Sequence, residues 1–237
     1  MCFNFYLNNG IIYSMKGLKR FELMGSVAKL KMRELTNVSI LELTLAGESE
    51  RIWYHTIRYI NKYAELINSS VKVGDPFLAI GEITSYTRED GVTLIQLTGD
   101  NGFKVDKAIS YNYDKNNTPR MRGGKNEATV IGRIVRSPER RETNSGISFT
   151  VFTIAAADNT GKTTFIESRA FSPNVVRKTQ SFAPGDPIWS KGAIYSTTWI
   201  NSKGEKRFGL EFHLDEVETL IPLGQDSSTI FEPSLSF

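Results

Sequence analysis

The sequence contains an internal duplication. Residues 74–85, opening on Gly74-Asp75-Pro76, lie over residues 185–196, opening on Gly185-Asp186-Pro187, at an offset of 111. Upstream, residues 39–46 lie over 148–155 at an offset of 109, and 53–59, beginning at Trp53, lie over 165–171, beginning at Phe165, at 112. Loop insertions produce such drift, so the simplest account is two copies of a unit of roughly a hundred residues. Each copy must then bury a core of its own. A chain of 237 residues, 40% hydrophobic and 23% charged, has the material for two.

Each copy reads as β. Residues 40–46 and 149–156 are rich in β-branched and aromatic side chains with partial alternation, and Gly, Asn and Asp clusters bound them. Only residues 63–71 and 173–181 have a helical pattern, each between the third and fourth strand of its copy. Five short strands with one helix between strands three and four is the plan of an OB fold. The expected fold class is therefore all-β: two tandem OB folds, each a five-stranded Greek-key barrel with a short helix. The expected division is an N-terminal extension over 1–14, OB fold 1 over 15–103, a linker over 104–127, OB fold 2 over 128–221 and a flexible tail over 222–237. The linker reading rests on Asn116-Asn117-Thr118-Pro119 and Gly123-Gly124, a polar, turn-rich run.

Composition narrows function by exclusion. Cys2 is the only cysteine, so neither a disulfide framework nor a thiolate metal cluster is expected, which fits a reducing cytoplasm. Residues 1–13 are apolar but lack a positive n-region, and Asn8, Asn9 and Gly10 interrupt them, so neither a signal peptide nor a membrane span is read there. Gly161-Lys162-Thr163 imitates the end of a phosphate-binding loop, but Ala156 stands where that motif needs glycine, and the run reads as a hairpin turn. His55 and His213, the only histidines, lie far apart on separate strands and do not read as a metal pair. With no nucleophile elbow, Cys-His pair or Asp-x-Asp cluster, an enzyme reading has no chemistry to begin from, and neither cofactor nor metal is expected. Charge is uneven: residues 1–103 carry as many basic as acidic side chains, whereas 104–127 and 128–221 each carry a basic excess. That permits a polyanionic partner without requiring one.

Met15 to Gly25, Ile40 to Gly47, Trp53 to His55 and Lys62 to Glu65, in that fixed order, resemble the bacterial single-stranded DNA-binding proteins, within them the branch with two OB folds per chain. Met15-Lys16-Gly17-Leu18-Lys19-Arg20-Phe21-Glu22-Leu23-Met24-Gly25 resembles that branch's start and first strand. Ile40-Leu41-Glu42-Leu43-Thr44-Leu45-Ala46-Gly47 resembles its second strand, and Trp53-Tyr54-His55 with Lys62-Tyr63-Ala64-Glu65 its third strand and the start of its helix. In the second copy Val130-Ile131-Gly132-Arg133, Ser137-Pro138-Glu139, Phe165-Ile166-Glu167 and the run from Trp199 to Phe208 are similar in the same way. The resemblance covers about residues 15–221. It implies sequence-independent binding and protection of single-stranded DNA in replication, recombination and repair. It also implies a cytoplasmic, nucleoid-associated protein and a homodimer, since the family's functional unit has four OB folds.

An unpaired strand offers phosphates and open base faces, so its binder needs cations along a groove and rings to stack on. In the second copy Phe165 and Phe171 are six apart on one expected strand, hence on one face, and Trp199 stands at the start of the last hairpin loop. The resemblance makes all three stacking residues. Arg133, Arg136, Arg140 and Arg141 from the first strand and its loop, with Lys203, Lys206 and Arg207 from the hairpin, are the expected phosphate contacts. A strand Phe is more often core than platform, and an arginine group can be an ordinary solvated face. Trp189 reads as core or interface. In the first copy Trp53 and Tyr59 match the Phe165/Phe171 spacing and Tyr54 flanks them, but no tryptophan stands in its hairpin, where Tyr86 is the substitute. The C-terminal run ends on Phe237 with little acidity, where the family has an acidic tail that docks replication and repair proteins. Two further functions remain open: an RNA-binding OB protein, and an OB-fold interaction subunit that has lost nucleic-acid binding.

Overall fold

The structure, a computed structural model, describes residues 16–221 apart from 89–91, 107–108, 144, 159 and 201–203. The first copy contains β1 (Leu18–Leu35), β2 (Val38–Glu48), β3 (Ile52–Ile60), α1 (Lys62–Ser70), β4 (Pro76–Thr87) and β5 (Thr93–Lys104). Two short strands follow, β6 (Tyr111–Tyr113) and β7 (Pro119–Arg122). The second copy contains β8 (Lys125–Ile134), β9 (Glu139–Glu142), β10 (Ser148–Ala157), β11 (Thr163–Ala170), α2 (Pro173–Thr179), β12 (Pro187–Ile200) and β13 (Lys206–Thr219). Strands β1-β2-β3-β5-β4 close into one barrel and β8-β10-β11-β13-β12 into another, each with a single parallel pairing, β3 with β5 and β11 with β13. These are two OB folds, with the helices between strands three and four.

The repeated Gly-Asp-Pro is a turn that starts the fourth strand. Gly74 and Gly185 both have φ of 93°, a region that favours glycine. Gly74 N–H donates to Val27 O and Gly185 N–H to Ile134 O, each at 2.8 Å. The aspartates close the turn by accepting from Lys72 N at 2.8 Å and Ala183 N at 2.7 Å, and the prolines begin β4 and β12. The turn thus makes Val27 and Ile134 equivalent, and with them Phe21 and Ala128. Those last two are paired with each other across the antiparallel β1–β8 ladder. A local two-fold axis therefore passes through the Phe21/Ala128 pair, and Met24↔Lys125 and Leu18↔Ile131 are related by it.

The β1–β8 ladder joins the barrels into one continuous sheet. Ion pairs lie along the join: buried Lys19 reaches Glu82 at 3.2 Å and Asp158 at 3.4 Å, Lys125 pairs with Glu22, and Lys191 meets Glu127 at 3.0 Å. The expected polar linker holds more order than its composition indicates. β6 and β7 form a hairpin, and β7 adds parallel to β2 at Gly47↔Met121. Met121 is fully buried there, and this one apolar side chain anchors an otherwise polar segment.

Candidate nucleic-acid interface

Alternation along the third strands decides which aromatics face outward. On β3, Trp53, His55, Ile57 and Tyr59 are buried; on β11, Thr164, Ile166, Ser168 and Ala170 are. The parallel pairings place Arg58 opposite Thr98 and Arg169 opposite His213, so this strand repeats at 111, not at the 112 of the sequence alignment. Because strand side chains alternate, one residue of slip exchanges the two faces. Phe165 therefore corresponds to Tyr54, and Phe171 to Ile60. Trp53 and Tyr59, expected to stack on bases, belong to the core. The Trp53 ring lies so close over Gly47 that a Cβ there would come within 2.3 Å of it. The Tyr59 hydroxyl is committed to Asn101 O at 3.0 Å. Neither ring offers a face to a nucleotide.

On the outer face of the second barrel the rings meet. Phe149 (β10) and Phe171, just beyond β11, stack at 5.0 Å between centroids and 16° between planes. Phe171 meets His213 (β13) at 4.9 Å, and His213 meets Tyr195 (β12) at 4.7 Å. Four rings from four strand segments thus form one contiguous strip. Arg169 lies 5.9 Å from the Phe149 ring centre, and Arg51 of the first copy lies 5.1 Å from the Tyr195 ring centre. Beneath the strip Glu211, largely buried, accepts from Arg169 at 2.9 Å and from His213 Nε2 at 3.2 Å. Burial pushes its carboxyl pKa up, but hydrogen bonds from His213 and Thr197 and the charge of Arg169 outweigh that and hold it below its ordinary value.

The other sequence-predicted residues distribute around this strip. Phe165 is 45% exposed on β11, and Tyr86 is exposed near the end of β4. Arg140 and Arg141 lie on β9, exposed, with Arg141 paired opposite Phe149 across the ladder. Arg140 Nε donates to Ser148 Oγ at 2.7 Å, and Arg141 meets Glu139 at 2.7 Å. Arg136 and Lys206 are exposed, Lys206 lying 5.4 Å from the Phe208 ring centre. Arg207 pairs with Glu205. Arg133 donates to Gly185 O at 2.8 Å and so braces the repeated turn. Trp199 lies within β12, not in the hairpin loop. It is half-buried over Gly209, beside Leu94 of the first copy. Tyr54 faces outward, with its hydroxyl donating to Asp114 at 3.0 Å. Lys203 and Phe237 lie outside the described residues.

Sequence reasoning missed Phe149, Tyr195, His213, Arg51, Arg169 and Glu211. A signal was present in the repeat. Where the strip has Phe149, Phe171, Tyr195 and His213, the first copy has Ile40, Ile60, Thr84 and Thr98. Its face carries paired hydroxyls instead, Thr84 with Thr98 at 3.1 Å and Thr44 with Thr56 at 3.0 Å. Aromatic in one copy and small or aliphatic in the other marks the positions where the outer faces of the two copies differ.

Known proteins resemble this chain in sequence and in fold. The sequence model of the single-strand binding protein family matches residues 125–220. A single-stranded DNA-binding protein of Thermus thermophilus is 26% identical over 213 residues, spanning 81% of this chain and 81% of that one. One from Deinococcus radiodurans is 24% identical over 233 residues, 86% of this chain and 76% of that one. The crystal structure of the wild-type single-stranded DNA-binding protein from Thermus aquaticus superposes with a TM-score of 0.70 at 19% identity, covering 91% of this chain and all of the other. That likeness is one of fold.

Proposed function

Because the chain belongs to the single-strand binding protein family, we propose that it binds single-stranded DNA without sequence preference, chiefly on the outer face of its second barrel. The observation that supports this reading is the strip Phe149–Phe171–His213–Tyr195 along one sheet face, with Phe149 buried at one end and exposed Arg141 beside it. Rings supply sequence-tolerant stacking and guanidinium groups supply phosphate contacts, the two requirements of an unpaired strand. Phe165, Trp199, Tyr86, Arg136, Lys206 and Arg207 extend the surface, and Lys203 is a further phosphate contact. The role is binding and protection of the strand in replication, recombination and repair, in the cytoplasm, and not catalysis. The working unit is a homodimer bringing four OB folds together, and the C-terminal run with Phe237 is its contact for replication and repair proteins.

The test is a titration of oligo-dT of increasing length, a matched duplex and oligo-U at two salt concentrations, read by anisotropy and by quenching of tryptophan. Tight, salt-dependent binding to oligo-dT and weak binding to duplex is expected, because stacking needs unpaired faces while phosphates are common to both. Equal affinity for duplex would overturn the reading. A clear preference for oligo-U would favour an RNA partner.

A further inference from the structure

Resting on the reading of the strip as the stacking platform, we propose that Glu211 is its positioning residue, a buried carboxylate that never touches the strand but holds one ring of the strip, His213, and the neighbouring Arg169 in place. One oxygen accepts from Arg169 at 2.9 Å, and Arg169 lies beside the Phe149 ring at one end of the strip. The other accepts from His213 Nε2 at 3.2 Å, and His213 is the ring that links Phe171 to Tyr195. An imidazole is smaller than a phenyl ring and can rotate about its two side-chain torsions. Fixed at Nε2, it has one orientation in which both neighbours remain in contact. Glu211 is also the cross-strand partner of Tyr195, the ring at the far end of the strip from Phe149. In the first copy, which has no strip, Gln96 occupies this place and its Oε1 accepts from Arg58 at 2.9 Å. The polar support persists there, but the ring it would orient is Thr98.

The experiment uses the full chain and fluorescently labelled oligo-dT. Glu211→Met keeps the length of the side chain and leaves Arg169 its second partner, Glu167 at 3.0 Å, but removes the acceptor for His213. It is expected to weaken binding about tenfold, within the range of one lost stack, with an unchanged folded baseline in circular dichroism. Glu211→Gln, which can accept from Arg169 and turn its amide to the imidazole, is expected to restore affinity to within about threefold of the parent. His213→Ala should cost about as much as Glu211→Met, and the double variant no more than the larger single loss, because both remove the same orientation. Glu211→Met with Lys206→Ala should instead be additive. Glu211→Leu replaces the Met variant if that one does not fold. Additivity of Glu211→Met with His213→Ala, or parental affinity in Glu211→Met while Phe171→Ala binds weakly, would overturn the assignment and leave the platform standing. Parental affinity in Phe171→Ala and His213→Ala alike would remove the platform itself.

Discussion

At His55 a single ring reports on the join between the barrels. It is wholly buried, stacked on Trp53 at 5.3 Å and 14°, with Nε2 2.8 Å from Ile194 O of the second copy. Asn126 completes the contact by donating to the same oxygen at 2.7 Å and accepting from Ile194 N at 3.1 Å. Nε2 must therefore carry the proton, and Nδ1 is buried with no hydrogen-bond partner among the described residues. A second proton would place an uncompensated charge in the interior, so burial pushes the His55 pKa from its ordinary 6.5 down to about 4. The sign follows from linkage: between these values the unfolded chain binds a proton that the folded chain refuses. The stability is present in full above pH 6.5 and is lost as pH falls toward 4. About 2 kcal/mol of that loss falls between pH 7 and 5. Urea unfolding at pH 7 and pH 5 should show the parent losing roughly that much more than His55→Asn, which has no proton to take up. Equal losses in the two proteins would show that His55 is not the group responsible.

At the scale of the element, the sequence carried the strands, the helices and the repeated turn, because each has a local cause. Gly74 and Gly185 need a positive φ, Pro76 and Pro187 begin strands, and the Ile/Val/Phe runs fill two barrels. What it did not carry was register. Aligning Trp53 with Phe165 matches aromatic to aromatic, yet hydrogen bonding across the parallel pair sets the offset one residue shorter and turns Trp53 inward. Similarity of residue type cannot tell two faces of a strand apart when both copies bear aromatics near the same place; only the neighbouring strand can. The strip was illegible for a related reason. Phe149, Phe171, Tyr195 and His213 are up to 64 residues apart in the chain and become neighbours only when the barrel closes. The hairpin β6–β7 shows the converse, a polar segment ordered by one buried side chain. Met121→Ala should therefore destabilise the protein by about 2–4 kcal/mol, through lost burial and the cavity left behind. Chemical denaturation would measure it. A change below about 0.5 kcal/mol, the size of an ordinary surface substitution, would show that the hairpin contributes little to the fold.

For the whole molecule, the pseudo-two-fold at Phe21/Ala128 means that one chain already contains the isologous pairing of two OB folds, with the β1 and β8 edges used up inside it. The proposed homodimer would then form through other surfaces. Light scattering is expected to give about twice 26.6 kDa, and a mass of one chain with full affinity for oligo-dT would count against the four-OB unit. The same symmetry supplies an internal control for the location of binding. Phe171 and Ile60 occupy equivalent places on the two outer faces; Phe171 stacks on Phe149, while Ile60 stands 45% exposed across β2 from Ile40. Stacking is local and needs a π face, which isoleucine lacks. Phe171→Ala should cost roughly 1–3 kcal/mol of binding, and Ile60→Ala close to nothing. The charges should divide in the same way. Arg141→Ala, beside the strip, should lower the magnitude of the log-affinity against log-salt slope by about 0.7 if its phosphate contact is made, whereas Arg58→Ala, on the threonine face, should leave the slope unchanged. Arg58 is a fair comparison because it is exposed and held by Gln96 and Glu42, as Arg141 is held by Glu139. Losses of similar size at Ile60 and Phe171, with the slope falling for both arginines, would mean that the strand runs over both barrels alike, and the strip would not be what sets affinity.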